Sequence, residues 1–339
     1  HNPASCWFPF SISMANNLQY IGLCYGLKGN DLPPPDRAIA LCEKENIHKL
    51  RIYQPHAPVM NLLSEIKIII GVPNEDIQAI GGSYDNATRW FNAHVYPYIS
   101  KAKIQYIAVG DGVKPNHPEA QFVVQAMSNI YKLIALAGKN DEIKVSTAID
   151  FQLLDLGHFE VPSQAYFIND GVNRNYIEQI CDFIVGHDSQ LLANVHPFLA
   201  VNKMPSWTVD FALFNDAPIV HDQDANLDYT NLFDLLLDAL YRALARIKNS
   251  YQTSLKIVVS ASGWPSAGDS PYASIERAGT YYKNLIAHVP IGTPFKSQQP
   301  IQTYLFSMYD EKENGPNDVD KHYGIFFPNG NHKYDGVPS

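Results

Sequence analysis

The sequence predicts a single (β/α)8 barrel with a short N-terminal extension. Eight short, β-rich apolar runs recur along the chain, and helical stretches lie between most of them. No internal repeat or low-complexity linker divides the 339 residues, a length one α/β barrel can fill. The turn after the first run, Tyr25-Gly26-Leu27-Lys28-Gly29-Asn30, lacks the G-x-G-x-x-G phosphate turn of an open doubly wound sheet. The barrel is therefore assigned to residues 18–339 and the extension to 1–17.

The first expected strand is Leu18–Tyr25. The helix Pro35–Glu45 follows; it opens on proline and spaces Ala38, Ile39 and Leu41/Cys42 along one face. His48–Tyr53, Lys67–Val72 and Ile104–Val109 are the next three strands, and Ala120–Ala137 is a long amphipathic helix. Strands are expected at Lys144–Ala148 and Leu191–Val195. Tyr229–Ile247 carries Leu232, Phe233, Leu236, Leu240 and Leu244 on a helical face. Lys256–Ser260, the helix Ser274–Val289 and the strand Gln302–Met308 complete the set. Asp222–Asp228 resembles the start of a calcium loop. Leu227 stands where Gly is needed and Phe233 where Glu is needed, so a polar loop capping the following helix is expected.

Hydrophobic residues make up 46% and charged residues 17%, a globular composition. The net charge is −9 without any Lys/Arg cluster in sequence, which argues against nucleic acid and anionic membrane as partners. No apolar run reaches the roughly 18 residues of a membrane span. The four cysteines, Cys6, Cys24, Cys42 and Cys181, form no C-x-x-C pair and allow three pairings. Cys24 and Cys42, on a strand and a helix, suit buried free thiols, and Cys6 suits a tether for the extension. The twelve histidines are scattered, so neither a metal nor a cofactor is expected. Ser260, Ser262 and Ser266 form no G-x-S-x-G elbow. The start at His1, with the apolar Cys6–Phe10, reads as a mature secreted chain. Asn86-Ala87-Thr88 is a glycosylation sequon.

In a barrel, chemistry sits at the C-terminal strand ends. Those ends read Val109-Gly110-Asp111-Gly112 and Ser260-Ala261-Ser262-Gly263-Trp264-Pro265-Ser266. Together with Ile21–Gly26, Leu50–Tyr53, Gly71–Asn74, Leu192–Val195, Thr230–Asp234 and Tyr323–Phe327, they resemble the plant β-1,3-glucanases, glycoside hydrolase family 17. The resemblance runs from Ile21 onward.

The resemblance implies two catalytic carboxylates, and both positions are vacated. The family pattern Val-Gly-Asn-Glu places the acid/base where Gly112 stands and its Asn where Asp111 stands. Ser-Glu-Ser-Gly-Trp-Pro-Ser places the nucleophile where Ala261 stands. Retaining hydrolysis needs a carboxylic acid and a carboxylate about 5 Å apart. The sequence therefore predicts a chain that is not an enzyme. The family pattern points to Tyr53, Asn194, His196, Phe198 and Glu311, with Asp111, as the sugar-binding set, and their place near strand ends adds Trp264 and Tyr309, Trp264 equally suiting a barrel-rim core position. His196 and Phe198 replace family tyrosines, and His196 brings a titratable group. The expected function is a secreted, lectin-like or defence-related protein holding an oligosaccharide or polysaccharide. The alternatives are a glycosidase inhibitor, whose protein partner the sequence does not name, a storage protein, or a residual hydrolase using Asp111, Glu311 or a group of the substrate.

Overall fold

The computed structural model describes residues 18–168 and 171–338. The expected extension and Cys6 lie outside the described residues. Ten strands are described: β1 (Ile21–Cys24), β2 (Lys49–Ile52), β3 (Lys67–Val72), β4 (Lys103–Asp111), β5 (Lys144–Asp150), β6 (Leu191–Asn194), β7 (Val220–Asp222), β8 (Leu227–Tyr229), β9 (Ile257–Ser262) and β10 (Thr303–Leu305). Eight of them close into a parallel barrel in the order β1-β10-β9-β6-β5-β4-β3-β2. All eight sit within the expected runs, give or take a residue or two at their ends. Leu18–Tyr20 is a 3-10 turn rather than strand. β10 is shorter than expected because the chain beyond it bonds irregularly. Phe306 N donates to Ser262 O at 2.8 Å and Met308 N to Cys24 O at 2.9 Å.

The barrel lumen is filled by Ile69, Tyr106, Leu192, Val258 and Tyr304, with Cys24, Ala108, Ala148 and Ala261 toward its upper end. A larger core lies between the strands and the surrounding helices. Its main contributor is the helix Leu232–Ile247, started by Asn231, whose side chain accepts from Asp234 N. This helix buries six leucines, each worth roughly 1.5–3 kcal/mol. It also buries two carboxyl groups with partners. Asp238 accepts from Thr293 Oγ1 at 2.6 Å and Tyr229 Oη at 2.7 Å, and Asp234 lies 2.7 Å from His288 Nε2.

The helices Tyr84–His94 and Gly171–Gly186 fall outside the expected set. Asp222–Asp228 is not a capping loop: β7 and β8 form an antiparallel hairpin there, and buried Asp222 receives Ser163 N at 2.8 Å. Cys24, Cys42 and Cys181 are buried free thiols. Burial pushes Cys24 and Cys42 up to about 12, well away from reactive thiolate. Among the described residues, no helix is long and apolar enough to cross a membrane.

Candidate functional site

Four strand ends converge on one buried cation. Arg51, on β2, is 1% exposed. Its Nη2 donates to Asp111 Oδ1 at 2.7 Å, from the end of β4. Its Nη1 donates to Asn194 Oδ1 on β6 and to the Ser260 carbonyl on β9, each at 2.9 Å. Asn194 Nδ2 donates to Asp111 Oδ1 at 2.7 Å, and Ser260 Oγ to Asn194 Oδ1 at 2.9 Å. A guanidinium cannot shed its charge, so burying it demands this counter-charge and these acceptors. The Tyr53 ring adds a face, with its centroid 4.2 Å from the guanidinium carbon.

The end of β4 is shaped to deliver Asp111. The β4–β5 register shifts between Ala108 and Asp111. Gly110 has φ +83°, and a Cβ there would lie 2.7 Å from Ile77 Cδ1, so glycine is needed. Asn74 pins the turn from both sides: its Oδ1 accepts from Asp111 N at 2.8 Å, and its Nδ2 donates to Asp111 O at 3.0 Å.

Above this floor opens a cleft of about 570 Å³. Tyr25, Tyr53, His196, Phe306 and Tyr323 line it with Asn74, Asn194 and the carboxyl groups of Glu75, Asp111, Asp150, Glu311 and Asp320. The cleft thus keeps an acidic lining although positions 112 and 261 carry no carboxyl. At Gly112, a Cβ would meet only Asp150 Cβ, at 3.9 Å. Asp150 therefore flanks the space that a side chain at 112 would enter. Burial raises its pKa; the Gln152 amide and side chain oppose that, and the Asp111 charge adds to it. Glu311 is 4% exposed, and burial raises it too, against the Lys28 amide that donates to Oε1 at 3.3 Å. Gly26 makes room for it, since a Cβ there would lie 1.9 Å from Glu311 Oε1.

Of the expected binding set, Tyr53, Asp111, Asn194, His196 and Glu311 share this cleft. Three do not. Phe198 packs edge-on against Trp264 at 5.2 Å, and Trp264 is fully buried with Nε1 donating to Tyr272 O at 3.0 Å. Tyr309 is 2% exposed and stands behind Tyr25, ring centroids 6.3 Å apart. All three are core aromatics. His196 is not a switch near neutrality: burial, edge-on to Phe306 and Tyr323, pushes it down to about 4. Asn86 lies on the helix Tyr84–His94, with Nδ2 donating to Ala79 O at 3.2 Å. Sequence reasoning missed Arg51 and Asp150. A charge set between Leu50 and Ile52, at the buried end of an expected strand, was the available signal for Arg51; Asp150 had only its place just past an expected strand.

The sequence profile of the glycosyl hydrolases family 17 matches residues 21–336. A glucan endo-1,3-beta-glucosidase of Vitis vinifera is 42% identical over 322 residues, spanning 93% of this chain and 91% of that protein. A basic vacuolar isoform of Nicotiana plumbaginifolia is 40% identical over 320 residues, 93% of this chain and 85% of that one. The structure of CJP38, a beta-1,3-glucanase and allergen of Cryptomeria japonica pollen, superposes with TM-score 0.85 at 36% identity, covering 93% of this chain and 97% of that one. These relatives overturn the expectation of a non-enzyme, because they are named as glucan-cleaving enzymes and align over almost their whole length. The chain belongs to the glycosyl hydrolases family 17.

Proposed function

We propose that this chain acts on a β-1,3-glucan held in the cleft above Arg51. The supporting observation is the carboxyl set around the vacated positions: Asp111 and Asp150 stand beside Gly112, and Glu311 lines the same cleft. Aromatic faces at Tyr53, Phe306 and Tyr323 suit the apolar face of a pyranose, and Asn74 and Asn194 suit its hydroxyls. Cleavage needs a carboxylic acid that keeps its proton and a second carboxylate. Asp150, raised by burial, fits the first role, and Asp111, paired with Arg51, the second. Both differ in position from the family's pair, so turnover is expected to be slow and glucan retention long, which suits a recognition or defence role. A secreted or vacuolar setting accords with the basic vacuolar relative.

The test combines calorimetry with laminarihexaose and reducing-sugar release from laminarin. One binding site per chain and slow release are expected. Asp150→Asn should lower release about tenfold or more while leaving affinity within twofold. A general acid with raised pKa works in its protonated form, so wild-type release should fall as pH rises through that pKa, and the variant should lose this limb. Absence of binding would overturn the glucan reading. Binding with release unaffected by Asp150→Asn would remove Asp150 from the chemistry.

A further inference from the structure

The opposite mouth of the barrel carries charge of the other sign. Lys49, Lys67 and Lys103 open β2, β3 and β4 and are direct neighbours in the sheet. Lys256 immediately precedes β9. Strand alternation decides where they point. Arg51, Ile69 and Val258 face the lumen, and Lys49, Lys67 and Lys256 stand two residues before them on the same strands. Lys49 confirms the direction. Its Nζ donates to the Gln302 side chain at the foot of β10, past β1, and to Gln19 O at 2.8 Å. A Cβ at Gly22 of β1 would lie 2.4 Å from the Tyr304 ring and 3.1 Å from Lys49 Cβ, so glycine keeps both packed against that strand.

Of these four lysines, only Lys103 has an ion-pair partner among the described residues. Lys103 pairs with Glu65 at 2.7 Å. Among the described residues, Lys49, Lys67 and Lys256 have no carboxylate within 4 Å. Lys67 and Lys256 both press on Lys49, which burial and their charge lower to about 8. Three like-charged lysines directed to one barrel mouth on a chain of net charge −9 are a local exception, and clustered positive charge attracts anions.

We propose that the N-terminal mouth of the barrel, between Lys49, Lys67 and Lys256, binds a multivalent oxyanion. The shared chemistry is phosphate, sulfate or the closely spaced carboxylates of an acidic glycan. The site is separate from the cleft, because Ile69, Tyr106, Leu192, Val258 and Tyr304 fill the lumen between them.

Scanning fluorimetry of the full chain tests it, comparing inorganic phosphate with sodium chloride at equal ionic strength. Phosphate should give a saturable Tm rise of about 3 °C beyond chloride. Lys67→Gln/Lys256→Gln should remove that increment, and should raise Tm in low salt without phosphate by relieving repulsion. Both lysines are exposed, so the fold should survive; laminarihexaose binding equal to wild type checks this independently. A second arm uses oligogalacturonate. Saturation by phosphate alone assigns a small oxyanion; tighter saturation by oligogalacturonate assigns an acidic glycan. Equal effects of phosphate and chloride with no response to oligogalacturonate, or an increment that survives in the double variant, would overturn the proposal.

Discussion

Gly112→Glu/Ala261→Glu is expected to release reducing sugar from laminarin at least about a thousandfold faster than the wild-type chain. The geometry permits the first substitution: a Cβ at 112 meets nothing nearer than Asp150 Cβ at 3.9 Å. Its cost is the positive φ of +56°, about 1 kcal/mol for a side chain in that region. Asp150 would help, because a neighbouring carboxylate raises the pKa of the carboxyl group introduced at position 112 and suits it to donate a proton. Ala261 faces the same cleft from β9. The paired variant can be assayed beside each single one, and a gain confined to the pair would show two groups acting as one unit. No gain in any of them would mean that the Arg51–Asp111–Asn194 floor has displaced the sugar from the position both carboxylates must reach.

Asp111→Ala should be the most destabilising single change in the cleft, lowering stability by about 3 kcal/mol and Tm by about 6 °C. The reason lies in its partner. Arg51 is 1% exposed and stays charged. Without Asp111 it keeps the acceptors Asn194 Oδ1 and Ser260 O but no counter-charge. The Asp111 side chain is itself 42% exposed, so water can enter and hold the loss below that of a sealed pair. Arg51→Met should cost less, because it leaves a solvated carboxylate instead of a stranded cation. Thermal denaturation of the two variants decides this, and an equal or larger loss in Arg51→Met would show that packing of the long side chain, not charge, dominates.

The barrel was legible because its strands are short β-branched runs buried on both faces, such as Lys67–Val72, where period and composition agree. β7 and β8 were not, since three residues each, interrupted by aspartates, carry no period. The expectation that Gly112 and Ala261 stand where the family has carboxylates rests on their flanking residues alone. The contents of the cleft could not be read that way. Phe198, Trp264 and Tyr309 lie at strand ends where irregular register decides which way a side chain turns. Trp264 turned inward because its indole N–H found the Tyr272 carbonyl. Arg51 meets Asp111, Asn194 and Ser260 from positions 60, 143 and 209 residues away along the chain. No local pattern encodes such a meeting.

The inward turn of Trp264 has a spectroscopic consequence. Trp90, Trp207 and Trp264 are each at most 8% exposed, and none lines the cleft. Their emission reports the integrity of the core, while the aromatic rings that line the cleft among the described residues belong to tyrosine, phenylalanine and histidine. For these three indoles the cleft is optically silent: an unchanged contribution from them during a glucan titration carries no information about occupancy.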